Sequence, residues 1–276
     1  MKKIALLVFF VIAASFYWGV FAENSVSNES HKLILTGSST VAPLVAEMGK
    51  RFEALHPDVR IDVQTGGSSR GVNDVRNRIS DIGMASRALK ADESELLSFT
   101  IAMDGISVIV NKNNPVTALS RQQIVDIYTG KIVNWQNVGG NNSPITVVNK
   151  AEGHSTLDLF LHYFNLNNSD IKADVIIGDN QQGIKTVATV ADAIAYVSIG
   201  SAEYEAGHEV NIKLLPLEGI AASVENVRNQ TFPLSRPLNL ITREQPSGII
   251  KAFIEFAGSE QVNDIIDGQY FVPVTH

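Results

Sequence analysis

The stretch Lys32-Leu33-Ile34-Leu35-Thr36-Gly37-Ser38-Ser39-Thr40-Val41 passes from an aliphatic run, through glycine and hydroxyl residues, into a helical pattern. Lys32 to Leu35 predicts a strand. Val41, Leu44, Val45, Met48, Phe52 and Leu55 then recur at helical spacing, with Pro43 tolerated in the first turn. The unit repeats along the chain. Ile61 to Gln64 alternates as a strand, Gly66 to Ser69 breaks it, and Val72, Val75 and Ile79 mark a helix, followed by a short strand at Asp81 to Ala85. Ile106 to Val110 predicts a buried strand, and Ser120-Arg121-Gln122-Gln123 predicts a capping box opening a helix that stops near Gly130. Ile145 to Val148 leads through Ala151 to His154 into a helix with the stripe Leu157, Phe160, Leu161 and Phe164. Strands are expected at Val175 to Ile177, Ala193 to Val197 and Leu238 to Ile241, and closing helices at Ser247 to Phe256 and around Val262 to Ile266. Alternating strands and helices of this kind predict an α/β fold.

Three strand-to-helix loops share one chemistry: Thr36-Gly37-Ser38-Ser39-Thr40, Thr65-Gly66-Gly67-Ser68-Ser69 and Glu152-Gly153-His154-Ser155-Thr156. The first amides of a helix lack internal partners and carry a partial positive charge. Glycine lets the backbone approach an anion, and hydroxyls add donors. Capping and turn formation explain any one such loop without a ligand, but they do not call for paired hydroxyls in all three. Two cations accompany the loops and are each placed to face an anion, Arg87 just after the strand Asp81 to Ala85 and Lys150 at the end of the strand before the third loop. His154 can donate to an anion from either ring nitrogen or merely cover the loop.

Composition narrows the function. The 276 residues are 45% hydrophobic and 18% charged, which suits packed lobes and excludes disorder as a description of the whole chain. A net charge of -7 argues against nucleic acid or an anionic membrane as the main partner. Cysteine is absent, so there is no disulfide framework, thiolate nucleophile or thiolate metal site. Met1-Lys2-Lys3, the apolar run Ile4 to Val20 and Phe21-Ala22 predict an export signal over residues 1–22, cleaved after Ala22. Gly178-Asp179-Asn180-Gln181-Gln182-Gly183-Ile184-Lys185-Thr186 imitates a phosphate-binding P-loop, but Ile184 separates the glycine from the lysine. It is expected to be a strand end and helix start. His154 and Ser155 are adjacent in sequence, which does not by itself make a catalytic triad, and the histidines have no metal-ligand spacing, so neither an enzyme nor a metal or other cofactor is expected.

The loop segments, with Gly66-Gly67-Ser68-Ser69-Arg70-Gly71-Val72, Asp81-Ile82-Gly83-Met84-Ala85-Ser86-Arg87, Ala193 to Ser198, and Ile124 to Gly130 with Asn134-Trp135, resemble the phosphate-binding proteins of the bacterial phosphate ABC importer. These are type II periplasmic binding proteins. The resemblance implies two α/β lobes of mixed sheets flanked by helices, with the ligand cleft between them. Lobe I is expected at 31–105 and 213–276, and lobe II at 106–212. It implies a periplasmic monomer that captures inorganic phosphate, or a related oxyanion such as sulfate, molybdate or arsenate, for an inner-membrane ABC permease. An exported sensor or adhesion protein would share the same site. Carried over by position, Ser39, Thr40 and Ser68 would hold the ligand from lobe I, and Lys150, His154, Ser155 and Thr156 from lobe II. Lys150 stands where the family has an arginine, and His154 and Ser155 lie in its Gly-Ser-Gly-Thr run. Arg87 stands where some members hold an aspartate that accepts the proton of phosphate, and Asp104 is an alternative acceptor.

Overall fold

A computed structural model describes residues 31–274 of the chain. The expected export signal at 1–22 lies outside the described residues.

The ordering of strands follows from where the apolar runs fall. β1 (His31–Gly37), β2 (Val59–Thr65) and β3 (Ile82–Ala85) are each followed by a turn rich in small or hydroxyl residues, and α1 (Ala42–Leu55) and α2 (Ser68–Arg76) follow the first two. β4 (Leu97–Asn111) is the long strand of the molecule. It is flanked in sequence by α3 (Arg121–Tyr128), β5 (Thr146–Lys150), α4 (Ser155–Phe164), β6 (Val175–Ile177), α5 (Asn180–Thr189), β7 (Ala193–Ser198), α6 (Ile199–Gly207) and β8 (Ile212–Leu214). The chain ends with α7 (Val224–Arg228), β9 (Ser235–Thr242), α8 (Gly248–Ala257), α9 (Asn263–Gly268) and β10 (Val272–Pro273). Along the sheet the order is β2-β1-β3-β9-β4-β7-β5-β6, with β8 and β10 also paired to β4. β1–β3, β5–β6 and β5–β7 are parallel, whereas β9 runs antiparallel to both β3 and β4.

β4 belongs to two halves. Leu97 to Gly105 pairs with β9, while Ile106 to Val110 pairs with β7. Gly105 marks the change: a Cβ there would lie 2.5 Å from Ile199 Cδ1 and 3.0 Å from Val227 Cγ2, so a larger residue would have to push these side chains aside. On one side of this point Leu35, Leu44, Met48, Phe52, Ile82, Leu240 and Phe253 share a core, with Phe52 edge-on to Phe253 at 5.2 Å. On the other side Ile106, Tyr128, Trp135, Phe160, Tyr196 and Ile199 share a second, with Phe160 stacked on Tyr196 at 3.9 Å. Each fully buried side chain of this size contributes about 1.5–3 kcal/mol of transfer free energy.

After β8 the chain packs against the second core. Leu215, Leu217, Val227, Phe232 and Leu234 pack with Trp135 and Phe160 in the second core, and the chain rejoins the first at Ser235 with β9. An apolar run without a regular element carries no periodicity to show which core it fills. The capping box at Ser120 is present, with Ser120 Oγ accepting from the Gln123 amide and Gln123 Oε1 from the Ser120 amide. The first nine residues of β4, Leu97 to Gly105, and the elements α6, α7, β8 and β10 are additions to the sequence reading.

Candidate functional site

The three hydroxyl loops lie side by side at the carboxyl ends of their strands, opening α1, α2 and α4. In the first, Ser38 Oγ accepts from the amides of Thr40 and Val41 at 3.2 and 3.3 Å, so Ser38 serves the turn. The Gly66 and Gly67 amides both donate to the Gly37 carbonyl at 3.0 Å, tying the second loop to the first. Gly67 has φ +89°, and a Cβ on it would come within 2.6 Å of the Gly153 carbonyl oxygen. Ser69 donates its amide to that same oxygen at 3.1 Å, which joins the second loop to the third. Only glycine meets both demands at position 67.

Around these loops the polar groups are buried. Thr40, Ser68, Ser86, Lys150, Ser155, Thr156 and Asn180 are each at most 4% exposed. At the centre is Arg236 on β9, 1% exposed. Its Nη1 donates to Thr156 Oγ1 at 2.9 Å and Ser86 Oγ at 3.3 Å, and its Nη2 donates to Thr40 Oγ1 at 3.3 Å. One guanidinium therefore touches the first and third loops and the turn after β3. Its charge is balanced by Asp104 of β4, whose Oδ2 accepts from Nε at 3.0 Å and Nη2 at 2.8 Å. Asp104 Oδ1 accepts from Ser198 Oγ at 2.9 Å and the Gly200 amide at 3.2 Å. With four donors on its two oxygens, Asp104 is committed to holding Arg236 and the start of α6.

Lys150 enters from the end of β5, and its Nζ donates to Asn180 Oδ1 at 3.2 Å. Burial, reinforced by the Arg236 charge and opposed by Asp179, pulls its ammonium down to about 7 from its ordinary 10.5. His154, half-buried at the start of α4, is also held below its usual value, by burial first and by the nearby Lys150 second, against the opposite influence of Asp179 and Asp158. Ser155 Oγ is buried and has no hydrogen-bond partner among the described residues. Ser68 Oγ accepts from the Ser86 amide at 3.2 Å, and Ser39 lies half-buried in the first loop. The arrangement is a closed array of hydroxyls with two cationic side chains, suited to a small dehydrated anion.

Arg87 sits apart from this array. Its Nη1 and Nη2 form a fork on Glu93 at 2.6 and 2.7 Å, with both residues buried, and Nε faces Asp158 at 3.9 Å. The expectation that it faces the anion rested on its place after β3. Both residues lie in the bend that follows β3, and it is Ser86 that meets Arg236 and Arg87 that meets Glu93. Burial alone would raise the Glu93 carboxyl, but the Arg87 hydrogen bonds and the Lys90 amide hold it below its ordinary value. Arg87→Met is therefore expected to cost about 3–5 kcal/mol, the penalty of an uncompensated buried carboxylate. Urea denaturation checks this, and an unchanged midpoint refutes it.

Arg236, Ser86 and Asn180 are the residues that the sequence reading missed. Arg236 directly precedes Pro237 and the buried run Leu238 to Ile241, and an arginine bordering a fully buried strand is the one local signal that could have marked it.

A family model described as a PBP superfamily domain matches residues 22–261. The phosphate-binding protein PstS of Bacillus subtilis strain 168 is 28% identical over 252 residues, covering 89% of this chain and 82% of the relative. Among solved structures, a protein of Clostridium perfringens, assigned as a phosphate ABC transporter substrate-binding protein and solved with bound phosphate, superposes with a TM-score of 0.82 at 33% identity. The match covers 89% of this chain and 100% of that one. An ABC-type phosphate transport receptor from Vibrio cholerae gives a TM-score of 0.70 at 28% identity, over 88% of this chain and 100% of that one. The chain belongs to the PBP superfamily, in the family of phosphate ABC transporter substrate-binding proteins.

Proposed function

We propose that this protein captures inorganic phosphate outside the cytoplasm, without catalysis, and delivers it to an inner-membrane ABC permease. The observation that carries the reading is the buried donor array drawn from both halves: Thr40, Ser68 and Arg236 from one, Lys150, Ser155 and Thr156 from the other, with Ser155 Oγ unpartnered among the described residues. Ser39 and His154 border it. Relatives named as phosphate-binding proteins, and a relative solved with phosphate, support the choice of ion. The basic and apolar start of the chain supports export with cleavage after Ala22. The acidic net charge supports a soluble monomer that does not bind nucleic acid.

The lobes of this reading are 31–105 with 235–274, and 106–234, hinged about Gly105 and Ser235. Ligand contacts from both lobes favour the closed form, which the permease would recognise. A second reading, another tetrahedral oxyanion, is favoured by Asp104. Its four donors leave it no capacity to read a phosphate proton.

Titration calorimetry of the mature protein, stripped of ligand, against phosphate, sulfate, molybdate and arsenate at two pH values separates the two readings. Thr40→Val and Thr156→Val, one from each half, should each weaken phosphate binding about tenfold or more, the worth of one hydrogen bond to a charged group. If both bind like the parent protein, the cleft is elsewhere.

A further inference from the structure

The segment Gly178 to Thr186, which imitates a P-loop without being one, supplies a side chain to the site. Asp179 caps α5 by accepting from the Gln182 amide at 2.8 Å, and Gln182 Oε1 accepts from the Gly178 amide at 2.7 Å. The segment thus meets its own capping needs, and the Asn180 side chain is released to turn inward, where it is 4% exposed. Its carboxamide orientation is decided by its neighbours. The Ser198 backbone amide, which can only donate, lies 3.4 Å from Oδ1, and Lys150 Nζ donates to the same oxygen at 3.2 Å. The other end, Nδ2, therefore donates, to Thr40 Oγ1 at 3.1 Å and to Ser201 Oγ at 3.5 Å.

We infer that Asn180 is a positioning residue that fixes the direction of the Thr40 hydroxyl and makes it an obligate donor to the bound anion. A hydroxyl has two lone pairs and one proton. On Thr40 one lone pair takes Asn180 Nδ2 and the other takes Arg236 Nη2 at 3.3 Å. The only remaining capacity is the proton, and a buried hydroxyl proton calls for an acceptor. An oxyanion supplies one. A hydroxyl free to rotate would spend part of its time presenting a lone pair to the ligand oxygen, which repels it. Because Asn180 stands on the second half and Thr40 on the first, the same contact also couples the halves. The inference rests on the phosphate reading.

The test is a double-mutant cycle on phosphate affinity with Asn180→Ala and Thr40→Val, each variant first passed through a thermal melt. Asn180→Ala should weaken phosphate binding about tenfold in the parent background and much less when Thr40 is already valine, the remainder coming from the lost Lys150 contact. Losses that multiply, or an Asn180→Ala variant that binds like the parent, overturn the inference. A second measurement uses the phosphate-loaded protein. The Asn180 side-chain amide protons should exchange slowly in the NMR spectrum and shift on Thr40→Val; signals indifferent to that substitution overturn it. If the parent protein binds no phosphate, the proposed function falls and the inference with it; if the parent binds and the losses multiply, the inference alone falls.

Discussion

An Arg236→Met variant is expected to lose phosphate binding by about a hundredfold to a thousandfold and stability by about 3–5 kcal/mol. The two losses have different origins. Binding falls because one guanidinium orients Thr40, Ser86 and Thr156 at once and supplies a positive charge. Stability falls because Asp104, 2% exposed, would be left in the interior without its main partner. The second substitution that separates them is Asp104→Asn in the same chain. Replacing both members of a buried ion pair is often close to neutral, whereas breaking it is not. The double variant should regain most of the urea midpoint and none of the affinity. Restored affinity would mean that Arg236 acts only by neutralising Asp104.

Lys150→Met should also abolish most of the affinity while raising the stability of the unliganded protein in neutral and acidic solution. The sign follows from the folded-state value near 7 against an ordinary 10.5. Between these values the unfolded chain holds a proton that the folded protein has released, so stability rises with pH across this window. Below about 7 both states are protonated, and the full cost of burying the ammonium is present. Methionine removes that cost and its pH dependence. Denaturation midpoints at several pH values check both statements, and a variant that keeps the parent's slope refutes them. A bound anion reverses the balance: it favours the ammonium, so the parent protein should take up protons on binding above pH 7. Calorimetry in buffers of different ionisation enthalpy counts them, and the Lys150→Met variant corrects for the protonation of phosphate itself. Equal proton counts in the two proteins would mean that Lys150 does not sense the ligand. The neighbouring charges Arg236 and Asp179 are common to both measurements, and His154 lies close enough to lower the same equilibrium when protonated.

How far the sequence reads, and where it stops, is visible in particular residues. Period and punctuation placed β1, α1, β5, α4, β6 and β7 within a few residues of their observed limits, because a strand or helix with one apolar face writes that face into its spacing. The hydroxyl loops were legible for the same local reason, since glycine and N-terminal helix chemistry act over four or five residues. What the chain order could not state was the company these loops keep. Arg236 lies 196 positions from Thr40, 80 from Thr156 and 132 from Asp104, and no periodicity links such distances. Arg87 and Ser86 are adjacent in sequence, yet one meets Glu93 and the other meets Arg236, a division made by the path of the chain after β3. Asn180 looked like part of a misspelled loop until α5 set it beside Lys150 and Thr40. The α/β layering and the hydroxyl loops were therefore determined locally, by spacing and by glycine. The charge balance, the proton held by Lys150 and the polarity of the Thr40 hydroxyl were decided by tertiary structure, because each depends on burial and on partners brought together only when the chain returns to the first half as β9.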